Sequence, residues 1–198
     1  RVHAVDPVHV FAVSGKNVFW TPNSLQWEVT EATIDDVSFA TVYFINSTTG
    51  WIGGGKREEI TEEDPWTGDE VVVGYNYLPK GIVMKTTDGG KNFVPLVVGA
   101  NEYFRHLTFI DQNIGYAVAG NNDQEIYIKR TTDGGKSWVD QELPAAPPDL
   151  EWMHLSRIVF TTPFQGWAAG AVGWPDSDIE NMGNKAVILK TVDGGVSW

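Results

Sequence analysis

The octet Thr191-Val192-Asp193-Gly194-Gly195-Val196-Ser197-Trp198 has two close copies in this chain: Thr131-Thr132-Asp133-Gly134-Gly135-Lys136-Ser137-Trp138 and Thr86-Thr87-Asp88-Gly89-Gly90-Lys91-Asn92-Phe93. A worn version, one residue shorter, is Thr21-Pro22-Asn23-Ser24-Leu25-Gln26-Trp27. Asp accepts hydrogen bonds from backbone N–H groups just downstream, and Gly supplies the positive φ of a tight hairpin. Thr86, Thr131 and Thr191 sit two residues before the Asp, where a hydroxyl can bond across the turn. Gly90, Gly135 and Gly195 close it. Phe93, Trp138 and Trp198 stand five after the Asp, placed to pack flat against a neighbouring element. One such turn says little. Three at matching offsets, each with its aromatic, predict a repeat architecture.

The segments upstream repeat as well. Val2-His3-Ala4-Val5-Asp6 and Phe11-Ala12-Val13-Ser14-Gly15 align without gaps on Leu107-Thr108-Phe109-Ile110-Asp111 and Tyr116-Ala117-Val118-Ala119-Gly120. Phe44, Gly50-Trp51 and Gly55 fit the same frame, as do Phe160, Gly166-Trp167 and Gly170. Each unit reads as strand A, a short turn, strand B, strand C ending in Lys/Arg-Thr in the clearer copies, the Asp turn, then strand D. The units are expected at about 1–33, 37–99, 103–142 and 153–198. Asp88 and Asp133 are 45 positions apart, and Asp133 and Asp193 are 60 apart. The excess lies in insertions after strand B and in a linker carrying Pro144, Pro147 and Pro148. Four strands per period of this size predict the four-stranded antiparallel blades of a β-propeller. The fourth unit lacks a strand D, so the expectation is an incomplete last blade in a segment of a larger propeller of six to eight blades; the alternative is a four-bladed ring closed in some irregular way.

Composition agrees with an all-β fold. The apolar runs are short, rich in Val, Ile and aromatics, and punctuated by the chain's 21 Gly and 10 Pro. A formal net charge of −12 disfavours nucleic acid and anionic membrane surfaces, which attract basic patches. With no cysteine, disulfides, thiolate chemistry and Cys-ligated zinc are excluded. No apolar run approaches a membrane span.

The combined pattern F-x-(D/N)-x-x-x-G-(W/Y), strand C, then T-x-D-G-G-x-(S/N)-(W/F) resembles the BNR/Asp-box repeats, and within them the photosystem II stability/assembly factor-like branch. The resemblance implies a propeller, a protein partner, an extracytoplasmic location (periplasmic, secreted or lumenal) and a place in a larger complex. The same fold carries sialidases and other glycoside hydrolases, so a glycosidase or carbohydrate-binding propeller is the alternative. Chemistry for catalysis is thin, and no catalytic, cofactor or metal residue is assigned. Arg130 occupies the same repeat position as Lys85 and Lys190, and the Arg-Ile-Pro signature of sialidases is missing at Arg157-Ile158-Val159. His3, His9, His106 and His154 lack metal-ligand spacing.

Blade geometry puts the Asp turns on one face of the disc and the B–C and D–A connections on the other. Binding is expected on that second face, where long loops gather. Its candidates are Trp66, Tyr75 and Tyr77 in the acidic 56–80 insertion, Arg105 and Arg157 at the starts of their strands, and Trp152 and Trp174. Trp66, Trp152 and Trp174 would serve as stacking platforms if the ligand is a carbohydrate. Clustered carboxylates in the insertion leave calcium open, without EF-hand spacing. Three or more arginines in a deep central pocket would favour the enzyme; a centre without convergent charge would favour the scaffold.

Overall fold

The computed structural model describes residues 1–31, 34, 36–78, 80–120, 126–145, 152–173 and 185–198. Every regular element among them is a β-strand. The first sheet is β1 (Val2–Ala4), β2 (Val10–Ser14), β3 (Asn17–Thr21) and β4 (Glu28–Glu31), in that spatial order. The second is β5 (Ser38–Phe44), β6 (Gly50–Gly55), β9 (Gly81–Thr86) and β10 (Val94–Ala100). Between β6 and β9, β7 (Arg57–Glu63) and β8 (Glu70–Tyr77) form a separate two-stranded hairpin. The third sheet is β11 (Tyr103–Phe109), β12 (Gly115–Gly120), β13 (Ile126–Thr131) and β14 (Val139–Gln141). The fourth holds β15 (Trp152–Phe160), β16 (Gly166–Gly173) and β17 (Lys185–Thr191). All pairings are antiparallel, and the all-β propeller architecture expected from the repeats is the one observed.

The apolar core lies between consecutive sheets. Phe11, Val13, Val18 and Trp20 of the first sheet meet Phe39, Phe44, Ile52 and Met84 of the second. Trp51 and Val83 meet Phe104, Leu107, Phe109 and Ala117. Tyr116, Val118 and Ile128 meet Leu155, Ile158 and Ala168. Strands β6 and β12 are buried along their whole length. A strand covered on both faces, with neighbours this close, favours small residues, and both are rich in Gly or Ala.

Each interface is built around one aromatic stack. Phe11 lies on Phe44 with ring centroids 3.5 Å apart, Trp51 on Phe109 at 3.7 Å, and Tyr116 on Phe160 at 3.7 Å. The polar hydrogen of the strand-B aromatic then reaches the Asp turn of the next sheet. Trp51 Nε1 donates to the Gly134 carbonyl at 2.8 Å, and Tyr116 Oη to that of Gly194 at 2.7 Å. Phe11 has no such hydrogen. There Thr30 Oγ1 donates to the Gly90 carbonyl at 2.7 Å and accepts from Trp20 Nε1.

The turn aromatics pack differently from the flat stacking expected. Trp138 meets Phe109, and Trp198 meets Phe160, edge-on, at interplanar angles of 78° and 86°. The flat faces of those phenylalanines are already taken by Trp51 and Tyr116, which leaves the edge approach that the ring quadrupole also favours.

The Asp turns are closed by side chains. Thr131 Oγ1 donates to Asp133 Oδ1 and accepts from Gly135 N, while Ser137 donates from N and Oγ to the two carboxylate oxygens at 3.0 and 2.6 Å. Thr191, Asp193 and Ser197 repeat this arrangement, and Thr86, Asp88 and Asn92 match it with an amide in place of the hydroxyl. Gly134 and Gly135 have φ of 77° and 94°, values that L side chains rarely adopt. Each turn is also tied to the A–B turn of its own sheet, where Gly89, Gly134 and Gly194 donate to the carbonyls of Thr48, Asn113 and Phe164. In the worn copy Asn23 Oδ1 takes the N–H groups of Leu25 and Gln26, and Trp27 is half exposed.

Candidate functional site

On the face opposite the Asp turns, the first residues of the innermost strands surround a cavity of about 540 Å³. Its wall includes Ser14, Ser38, Tyr103, Arg105 and His154, so all four sheets contribute, and Arg1 adds a second guanidinium. A β-bulge recurs in the innermost strand of three sheets: the register slips between Phe39 and Thr41, Phe104 and His106, and Leu155 and Arg157. The extra residues are Ala40, Arg105 and Ser156, and all three line the cavity. A bulge re-aims a side chain out of the strand's alternation. That is how Arg105, on a strand whose neighbours are core residues, comes to face the axis.

Arg105 Nη1 lies 3.0 Å from His154 Nε2 across the boundary of the third and fourth sheets. Burial, and then the Arg105 charge, hold the His154 pKa below its ordinary value. The neutral ring therefore accepts from the guanidinium through Nε2. Tyr103 Oη donates to the Ser38 carbonyl at 3.2 Å. The described lining contains arginine, histidine, hydroxyl groups and backbone, but no carboxylate. Its described polar groups are cationic or hydrogen-bond donors for the most part, in a protein that is acidic as a whole.

The other expected residues are spread around this face. Trp66 is 94% exposed at the tip of the β7–β8 hairpin. Its turn is ordered: Asp64 Oδ1 accepts from Trp66 N and Thr67 N, and Asp64 N donates to the Asp69 carbonyl. Tyr75 and Tyr77 stand on β8 opposite Glu59 and Arg57. Trp152 opens β15 opposite Gly173, and Trp174 lies outside the described residues. Arg157 is not in the cavity wall. Being one past the bulge, it lies on the flat of the fourth sheet and donates to the Ser156 carbonyl at 3.0 Å. The structure brings Arg105 together with His154, and places Arg157 outside the cavity wall. No group of three His, Asp or Glu among the described residues is disposed to hold a metal ion.

Lys129 is a polar exception that the repeat pattern did not reveal. It stands where the second and fourth sheets carry Met84 and Leu189, and it pairs with Glu102 at 2.7 Å and Asp140 at 2.6 Å. Burial alone would lower its pKa, but the two carboxylates more than offset that, and the net direction is upward.

No family model and no curated protein matches this chain. Among solved structures it is similar to YCF48 bound to D1 peptide, with TM-score 0.51 and 18% identity, over 100% of this chain and 78% of that one. A second likeness is to the GH74 xyloglucanase of Xanthomonas campestris, with TM-score 0.45 and 11% identity, over 96% of this chain and 36% of that one. At such identities the likeness speaks to fold alone. Together with the repeated sheets and their turns, the first likeness identifies the chain as a β-propeller of antiparallel blades.

Proposed function

We propose that this propeller is a non-enzymatic scaffold that docks a protein segment on its loop face, outside the cytoplasm, with an acidic or C-terminal carboxylate of that segment held by Arg105 in the central cavity. The observation that carries this reading is the bulge-directed Arg105 beside neutral His154, in a wall whose described residues include no carboxylate. A guanidinium takes a carboxylate through two parallel donors, a strong charge-assisted contact. The peptide bound to YCF48 is a precedent for a propeller of similar fold holding a polypeptide. The absence of paired carboxylates from the described wall counts against a glycosidase there, since both glycosidase geometries need two. Among the described residues, the two lining arginines, Arg1 and Arg105, fall short of the cluster expected for a sialidase.

The test is fluorescence anisotropy with a labelled D1 peptide and with acidic peptides carrying free or amidated C-termini. Binding should weaken at least tenfold in Arg105→Gln, with an unchanged melting temperature. Binding of xyloglucan oligosaccharides instead of peptides, or equal binding by Arg105→Gln, would overturn the proposal.

A further inference from the structure

The same sheet face can be followed through successive blades. Val83 and Ile128, in strand C of the second and third sheets, are 0% exposed; Ile188, at the same repeat position in the fourth, is 71% exposed. Thr108 is 2% exposed and its counterpart Val159 is 53% exposed. Trp51 and Tyr116 are fully buried, whereas Trp167 is only partly covered. In the register, Val159 and Lys190 flank Trp167, and Arg157 and Ile188 flank Ala169. These residues form one continuous side of the sheet. Lys190 lies over the Trp167 ring as Lys85 lies over Trp51.

We infer that this side of the fourth sheet is a docking surface for a further blade of the same repeat. Continuity with the two interfaces before it carries the assignment. Trp51 and Tyr116 each need two things from the next blade: a strand-A Phe to stack on, and the carbonyl of a turn glycine to accept their polar hydrogen. Trp167 has the same ring and the same kind of donor, so its partner must carry F-x-(D/N) and the D-G-G turn. The first sheet of a second copy does not fit. It has Ala4 where the stacking Phe belongs and Asn23-Ser24-Leu25 in place of the Asp-Gly-Gly turn. The partner is also specified at one more point. Thr41 Oγ1 and His106 Nδ1 accept the backbone N–H of Leu107 and Ile158 in the following blade. Arg157 occupies their position and can only donate, so the incoming blade must present an acceptor there, a carbonyl or a carboxylate.

The chain has no cysteine, so a single introduced thiol reports its own surroundings. Ile188→Cys and, as an exposed outer-strand control, Val139→Cys are made in the protein as its source organism produces it, and reacted with a maleimide. Ile188→Cys should react at least tenfold more slowly than Val139→Cys. A photocrosslinking residue at position 188 should map to a segment containing a Phe strand and a T-x-D-G-G turn. Equal maleimide rates would overturn the inference. So would crosslinks to the first sheet of a second copy, or to a polypeptide without the repeat. Neither outcome bears on Arg105, so this test and the peptide-binding test fail independently.

Discussion

The two faces of the disc obey different rules. On the Asp-turn face, three turns share one hydrogen-bond scheme and each is tied to its neighbouring A–B turn. Those A–B turns follow one scheme too: Asp6, Asn46 and Asp111 each accept two backbone N–H groups through Oδ1, with Thr162 Oγ1 substituting in the fourth sheet. On the loop face, among the described residues, the bulge is what repeats. One blade carries a hairpin, another an arginine, another a histidine. The first face uses its side chains on itself. The second leaves Trp66, Arg105 and Ser156 directed outward or toward the axis. Repetition marks what holds the blades together, and departure from it marks where the blades differ from one another.

The contrast can be broken most sharply at Trp51. Trp51→Ala removes the stack on Phe109 and orphans the Gly134 carbonyl, and should cost about 3–5 kcal/mol in chemical denaturation. Trp51→Phe keeps a ring on Phe109 and loses only the N–H, so a loss of about 1 kcal/mol is expected. Equal losses in the two variants would mean that the indole hydrogen bond, and not the stack, dominates.

On the turn itself, Asp133→Ala removes the acceptors for Lys136 N, Ser137 N and Ser137 Oγ. It should lower stability by about 1–2 kcal/mol, as loss of a helix cap does for similar side-chain-to-backbone bonds. Acid tests all the turns together. Asp193 is held down to about 2, first by the Ser197 hydroxyl and then by the Ser197 backbone N–H, and Asp88 and Asp133 are lowered by the same kind of contact. A carboxylate with a depressed folded pKa adds stability that is fully present above its unfolded value, near 4. That stability is lost as pH falls toward the folded value. The turns should therefore weaken between about pH 4 and 2, read as a falling midpoint in urea, and Asp193→Asn should flatten that part of the profile. The smallest effect belongs to the other face. Trp66→Ala should change stability by less than about 0.5 kcal/mol, as for an exposed residue, while weakening partner capture.

The sequence carried the turn face well, because Asp, Thr and Gly act within eight residues of one another and their spacing is the mechanism. The stacking pairs were half legible. Gly50-Trp51, Gly115-Tyr116 and Gly166-Trp167 stood out as repeated, but that Trp51 and Tyr116 each lie on the Phe of the following blade depends on how sheets pack. The loop face was least legible. Arg105 and Arg157 look equivalent when read as strand openings, yet the bulge separates them by one position and so by one side of the sheet. Tyr103 against His154 and Arg105 against Ser156 are the true equivalences. Thr30 as a stand-in for a missing indole could be found only from the contact it makes.

Among the described residues, the β7–β8 hairpin is a sheet of its own, and below it β6 and β9 run side by side from Gly50 opposite Thr86 to Gly54 opposite Ile82. Where it leaves the sheet, Lys56 N donates to the Lys80 carbonyl and Leu78 N to that of Lys56. It is therefore a cassette set on a finished blade. A chimera that replaced residues 57–77 with an unrelated hairpin of matching end separation should retain the disc and exchange its specificity, and the same docking point would accept a reporter or a second recognition module.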